Sequence, residues 1–216
     1  MHISILTSDP AHDVVAELRS WMSRMAALGH AVHLAFDKTQ LPGGDMLFLV
    51  SCHHIVRAAE RARYRAALVL HASDLPHGRG WSPHIWAILG GANRIVVSLL
   101  EAGEPLDSGP VWFKSGFELQ GHELLAEINA TLFAVELELM TRAVTRFASV
   151  TPLPQPDGAA QPPLRRRTPA DSELDPHKSI AEQFELLRVV DPDRFPAFFH
   201  LRGHRYLIKI EKAGNA

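Results

Sequence analysis

Apolar residues come first in short unbroken runs and then at helical spacing. Ile3 to Leu6 is an apolar run closed by the polar turn Thr7-Ser8-Asp9-Pro10, which predicts a buried first strand. From Asp13 the apolar positions Val14, Leu18, Trp21, Met25 and Leu28 recur at helical spacing, and Gly29 supplies the stop. Val32 to Phe36 reads as a second strand, and the Pro42-Gly43-Gly44 turn leads into a third over Met46 to Val50. A short helix over Val56 to Arg63 precedes a fourth apolar run, Ala67 to Leu70, which ends at His71. Continuous apolar runs, in place of an in–out alternation, predict a parallel sheet covered by helices on both faces. In such sheets ligands gather at the carboxyl ends of strands, which is where His71 falls.

The second half continues in the same manner. Asp74 to Gly80 is a loop; Ser82 caps a helix with Pro83 at its first position, running to Gly90. Trp86, beside Ile85 and Leu89, reads as core. Arg94 to Leu100 and Val111 to Lys114 are further strands, and Leu125, Ile128, Leu132, Val135, Leu139 and Ala143 mark a long helix over about 122–147. The proline-rich stretch Pro152 to Pro163 reads as an exposed loop. A helix over about 176–190 and a hairpin, Ala197 to Leu201 and Arg205 to Ile210 turning at Arg202-Gly203, close the pattern. The hairpin's apolar Tyr206, Ile208 and Ile210 would either close the sheet or pair two subunits as a homodimer.

Composition narrows the classes. A chain of 216 residues is long enough for one sizeable core. The single cysteine, Cys52, excludes a disulfide framework and a cysteine-rich zinc site and reads as a small buried filler. The thirteen histidines are scattered, with no His-Glu-x-x-His pair, so no metal is expected. A net charge of −2 gives no nucleic-acid footprint. The start lacks the basic and apolar regions of a signal peptide, and no apolar run approaches the roughly 20 residues a membrane helix needs. The expected location is therefore cytoplasmic, with no membrane partner.

Two segments carry chemistry. The first is His71-Ala72-Ser73-Asp74-Leu75-Pro76-His77-Gly78-Arg79-Gly80-Trp81-Ser82-Pro83-His84-Ile85-Trp86-Ala87-Ile88-Leu89-Gly90; the second is Leu106-Asp107-Ser108-Gly109-Pro110-Val111. A strand-end histidine can act as a general base near neutral pH, and a carboxylate in the Asp107-Ser108-Gly109 turn can orient it and stabilise its charged form. Spacing alone leaves open whether the two meet.

These segments resemble the hallmark of the folate-dependent formyltransferases. That pattern runs Asn-x-His-Pro-Ser-Leu-Leu-Pro, a loop ending in Gly, Pro-x-x-Trp-Ala-Ile and a Gly, then Asp-Thr-Gly-Asp-Ile. The matching residues are His71, Ser73, Leu75, Pro76, Gly80, Pro83, Trp86, Ala87, Ile88 and Gly90, then Asp107 and Gly109. The resemblance implies an α/β, Rossmann-like fold with a mainly parallel sheet. Residues 1–150 would form the catalytic domain, and 151–216 its proline-rich loop and helix-plus-hairpin extension. It implies attack of an amine on the formyl carbon of 10-formyltetrahydrofolate, with His71 as base or proton relay and Asp107 as its partner. The turn from Ser51 through His53, His54 and Ile55, together with Gly80 and Trp81, would hold the folate, unless the two histidines are simply exposed turn residues. The family's oxyanion-steadying asparagine is replaced by Val69, whose side chain cannot donate a hydrogen bond. A protonated His71, Ser73 or His54 would have to substitute, His54 being preferred.

The tail points to the acceptor. Arg167-Thr168-Pro169-Ala170-Asp171, a helix and Phe195-Pro196-Ala197-Phe198 resemble the end of sugar N-formyltransferases, and the His-Ala-Ser-Asp-Leu-Pro start of the motif resembles a branch linked to pseudaminic acid. The expected partner is a small nucleotide-linked 4-amino sugar, UDP-linked in that branch, with Arg79, Ser82 and Arg167 assigned to it; the Arg165–Arg167 run would meet its pyrophosphate or else form a solvated face. A tRNA acceptor is disfavoured because nothing with the size or charge of the basic C-terminal tRNA-binding domain follows. Four alternatives remain: a glycinamide-ribonucleotide formyltransferase, disfavoured because the turn after the first strand has no glycine; a formyl-folate hydrolase; a non-catalytic folate- or nucleotide-sugar-binding protein, made plausible by Val69; and a generic doubly wound domain binding a dinucleotide, disfavoured because no Gly-x-Gly-x-x-Gly follows the first strand.

Overall fold

Six strands, β1 (His2–Leu6), β2 (Ala31–Ala35), β3 (Gly44–Leu49), β4 (Tyr64–His71), β5 (Arg94–Glu101) and β6 (Val111–Glu118), form one sheet in the order β2-β1-β3-β4-β5-β6. The structure is a computed structural model and describes residues 1–156 and 162–214. The first four strands run parallel; β5 pairs antiparallel with both β4 and β6 and alone runs against the rest. The sheet is thus mainly parallel, as expected, with an antiparallel edge beside β4.

One face carries most of the core. Ile3, Ile5, Met46, Phe48, Leu68 and Leu70 alternate onto it and meet Val14, Leu18, Trp21 and Met25 of α1 (Val14–Ala27). Leu132, Leu139, Met140 and Ala143 of α4 (Leu125–Arg146) pack on the same face. Each such side chain, fully buried, contributes about 1.5–3 kcal/mol. Trp21 ties the two helices together, its indole N–H donating to Thr141 Oγ1 at 2.8 Å. The opposite face, with Leu6, Leu47 and Leu49, is covered by Leu41 from the β2–β3 connection, Val56 from the loop before α2 (Ala58–Arg61) and Tyr64 at the start of β4. The segment joining β3 to β4 has room for only that single turn of helix, so the second face is covered more thinly than the pattern predicts.

Beyond β4, α3 (Pro83–Leu89) packs Ile85 and Ile88 against Ile95, Leu119 and Ile128. The expected helix over 176–190 shrinks to a 3-10 turn, Ala181–Gln183, and the short α5 (Phe184–Arg188). Its first half folds around the Gln183 amide, which accepts from Asp175 N–H at 2.7 Å and donates to the Asp175 carbonyl at 3.0 Å. These bonds stand in for helical ones. The hairpin, β7 (Ala197–Leu201) and β8 (His204–Ile208), forms a separate two-stranded sheet. It packs Ala197, Phe199 and Ile208 on Leu174, Leu187 and Val190 and does not close the main sheet.

The proline-rich stretch departs most from expectation. Residues 157–161 of it lie outside the described residues, but both flanks are paired. Leu153 exchanges two backbone hydrogen bonds with Val111 at 2.8 and 2.9 Å. Leu164 donates to the Arg79 carbonyl at 2.8 Å and accepts from Trp81 N–H at 3.0 Å. Its backbone groups satisfy exposed edges of β6 and of the Gly78–Trp81 loop, so both flanks are bound to the chain as a strap. No described helix is long and apolar enough to cross a membrane.

Candidate active site

His71 is the last residue of β4, paired across the antiparallel edge with Ser98 of β5, and only 7% exposed. Its Nε2 lies 2.9 Å from the Gly78 carbonyl, which can only accept. In the neutral ring the proton therefore sits on Nε2, leaving a lone pair on Nδ1. Nδ1 faces Asp107 Oδ1 at 3.7 Å. The other carboxylate oxygen of Asp107 accepts from the Gly80 N–H at 3.0 Å. A base with its tautomer fixed on one side and a carboxylate on the other can take up a proton at Nδ1, and the carboxylate then stabilises the imidazolium.

Two glycines make this approach feasible. A Cβ on Gly109 would sit 2.0 Å from the Glu101 carbonyl oxygen, and one on Gly80, at φ +106°, would sit 2.5 Å from that of Leu164. Asp107 itself is left-handed, at φ +57°.

The other sequence-derived residues fall in several places. Ser73 donates to the His77 carbonyl at 2.8 Å, inside its own loop. The His54 ring, through Nε2, donates to the Phe36 carbonyl at 3.1 Å, beyond the end of β2, at the far side of the strand order from β4. Val69 is half-buried, shares a strand face with His71 by the two-residue repeat, and packs with Leu49, Cys52 and Ala102. Ser51 is left-handed at φ +46°, and Ile55 is exposed. His53 donates its N–H to Ser8 Oγ at 2.6 Å, and its ring lies 5.1 Å from that of Trp81. Burial, then the nearby Arg166 charge, pulls the His53 pKa down. Trp81 is 38% exposed and also carries the Arg166 guanidinium 5.0 Å from its ring. Cys52 is half-buried, its thiol pushed up by desolvation.

Arg79 donates from Nη2 to Gln155 Oε1 at 2.9 Å. Arg167, half-buried, donates to the Asp171 carbonyl at 3.0 Å, and burial lowers its pKa. Arg165 is paired with the Asp171 carboxylate, which its hydrogen bonds hold well below the usual carboxylate range. Ser82 stands at the start of α3 at φ +46°, without a side-chain cap. Trp86 is half-buried, not core: its N–H donates to the Arg165 carbonyl at 3.1 Å. It lines a cleft of about 360 Å³ with Ser73, His77, Gly78, Arg94 and Leu164. Gly78, whose carbonyl holds His71 Nε2, borders this cleft; His71 and Asp107 do not line it.

Two residues at the site escaped the sequence reading. His84, inside the motif, has a sealed Nδ1 without a partner among the described residues, and desolvation, then the neighbouring His71, pushes its pKa down to about 4. Gln155 lies in the proline-rich stretch, where no local pattern marks it.

No family model matches the chain. The methionyl-tRNA formyltransferase of Sorangium cellulosum is 33% identical over 123 residues, 55% of this chain, and the match spans 39% of that protein's length. A structure described as methionyl-tRNA formyltransferase from Clostridium thermocellum superposes with TM-score 0.81 at 20% identity, over 100% of this chain and 95% of that one. The chain therefore has the formyltransferase fold, and about half of it is similar in sequence to methionyl-tRNA formyltransferases of which it spans less than half the length. The formyltransferase fold recurs in a sugar N-formyltransferase from a Shewanella species, at TM-score 0.72 and 12% identity, over 100% of this chain and 99% of that one. It recurs also in HypX of Aquifex aeolicus in complex with tetrahydrofolic acid, at TM-score 0.76 and 19% identity, over 95% of this chain and 36% of HypX. Val69 lies in β4 two residues before His71.

Proposed function

We propose that this formyltransferase-fold chain moves a formyl group from 10-formyltetrahydrofolate to the amine of a nucleotide-linked 4-amino sugar, UDP-linked and of the pseudaminic-acid type. The single observation that carries the reading is the His71–Asp107 couple, facing at 3.7 Å with the imidazole tautomer set by Gly78. The formylated folate supplies the one-carbon group. His71 Nδ1 takes the proton that the amine loses as the new C–N bond forms, the Asp107 carboxylate stabilises the resulting imidazolium, and the imidazolium returns that proton to N10 of the folate as the formyl C–N10 bond breaks and tetrahydrofolate leaves.

The exposed Trp81 ring, beside His53 and under Arg166, offers a flat surface of the kind a pterin or nucleobase stacks on. Since Arg165 and Arg167 are engaged by Asp171, Arg166 is the member of the run best placed for a ligand anion. The sugar acceptor is favoured by the tail, where Asp171 anchors the Arg167-Thr168-Pro169 segment and the hairpin packs on α5. In this reading residues 1–150 carry the chemistry in the cytoplasm and 151–216 extend the same domain. With Ser73 and His54 bonded elsewhere, His71 in its protonated form is the side chain left to steady the oxyanion.

Incubation with 10-formyltetrahydrofolate and a panel of nucleotide-linked 4-amino sugars, products read by mass, tests the proposal; a formylated sugar is expected. Formate released equally well with no acceptor would make the chain a hydrolase. Binding of both ligands without transfer would make it a non-catalytic receptor.

A further inference from the structure

Asp107 sits in the left-handed region at φ +57°, which aspartate tolerates better than most residues but which neighbouring hydrogen bonds can still fix. The holding group comes from outside both motif segments. Gln155 Nε2 donates to the Asp107 carbonyl at 2.8 Å and to the Gly109 carbonyl at 2.9 Å, straddling Ser108. Gln155 Oε1 accepts from Arg79 Nη2 at 2.9 Å. The residue after Arg79 is Gly80, whose N–H holds Asp107 Oδ2 at 3.0 Å. The bonds form a closed ring from the Asp107 backbone through Gln155, Arg79 and Gly80 back to the Asp107 carboxylate. Oδ1 remains, facing His71.

We infer that Gln155 is a positioning residue: it clamps the Asp107 turn to the Arg79–Gly80 loop and so aims the carboxylate at His71. The inference rests on the acid–base reading of that couple, and it gives the proline-rich strap a task. A primary amide is the side chain that suits the place, since it supplies two donors to two carbonyls and one acceptor to a guanidinium. Glutamate keeps the acceptor and loses both donors; methionine keeps the shape and loses all three bonds. Leu153, paired with Val111 two residues earlier, fixes where the strap enters.

The test uses Gln155→Met and Gln155→Glu in the full chain, with two readouts. Amide hydrogen exchange at Gly80 needs no activity: Gln155→Met should speed it by about tenfold, the scale of one lost hydrogen bond, while amides of β3 stay protected as in the wild type. In transfer assays kcat should fall by about tenfold or more with the KM for the folate little changed, and Gln155→Glu should lose nearly as much although it still accepts from Arg79. Unchanged Gly80 exchange in both variants would overturn the clamp, whatever the activity. Faster exchange with wild-type kcat would overturn the catalytic role. A wild type inactive on every acceptor, with the exchange difference present, would sink the proposed reaction and leave the clamp standing.

Discussion

The carboxylate of Asp107 faces Nδ1 of His71 at 3.7 Å, while the opposite imidazole nitrogen is committed to the Gly78 carbonyl. The distance is long for a hydrogen bond but short enough for a strong charge interaction once Nδ1 is protonated. The pair therefore gains most of its attraction after the proton has moved, which is when a general base needs stabilising.

Removing either partner should therefore slow turnover. His71→Ala and Asp107→Ala are each expected to lower kcat by about a hundredfold or more, the usual scale for an acid–base group. Near-normal turnover in either variant, measured at saturating donor and acceptor, would remove that residue from the mechanism.

Val69 shares a strand face with His71 and is half-buried against Leu49 and Cys52. Val69→Asn would place an amide where the motif has one, at a cost of about 1–3 kcal/mol for burying a polar group. Turnover is expected to hold or rise while the melting temperature falls. Collapse of activity in a folded variant would mean that the pocket is built around another oxyanion donor.

Much of this arrangement was legible in the residues, for identifiable reasons. The strands of the parallel half and the helices α1 and α4 announce themselves because burial on a sheet face or a helix stripe imposes a period. His71 at a strand end and Asp107 in a glycine turn were readable as chemical types, but their meeting depends on β5 returning antiparallel beside β4, which spacing does not encode. Gln155 was invisible because a strap is held by single backbone bridges, Leu153 to Val111 and Leu164 to Gly80, which leave no periodic trace. The tail helix was overestimated because the amide of Gln183 supplies turn contacts that mimic the pattern of a helix start.

His84 lowers acid stability. Its ordinary pKa of 6.5 is pushed down to about 4 by desolvation, with His71 adding repulsion when charged. The folded state rejects the proton that the unfolded chain accepts, so stability is complete above pH 6.5 and is lost as pH falls toward 4. Between about pH 7 and about pH 5 the loss is on the order of 2 kcal/mol. His84→Leu is expected to flatten that limb, read from urea midpoints at the two pH values. An unchanged slope would mean that the ring reaches solvent in the folded state.

Glu136 works in the other direction. It lies on α4 among Leu132, Phe133 and Met140, is 6% exposed, and its Oε2 has no partner among the described residues. Desolvation alone raises its pKa from 4.5 to about 8, so near neutrality the folded state holds a proton that the unfolded chain has released. Stability is then greatest below pH 4.5 as far as this group is concerned, and is lost as pH rises toward 8. From about pH 5 to about pH 8 the loss is on the order of 3 kcal/mol. Glu136→Met keeps the length of the side chain and removes the titration, so its denaturation midpoint should exceed the wild type's at about pH 8 and converge with it near pH 5. A wild-type excess at the higher pH would show that the carboxylate is charged and paired in the folded protein, and that the buried side of α4 holds a cation the present packing does not provide.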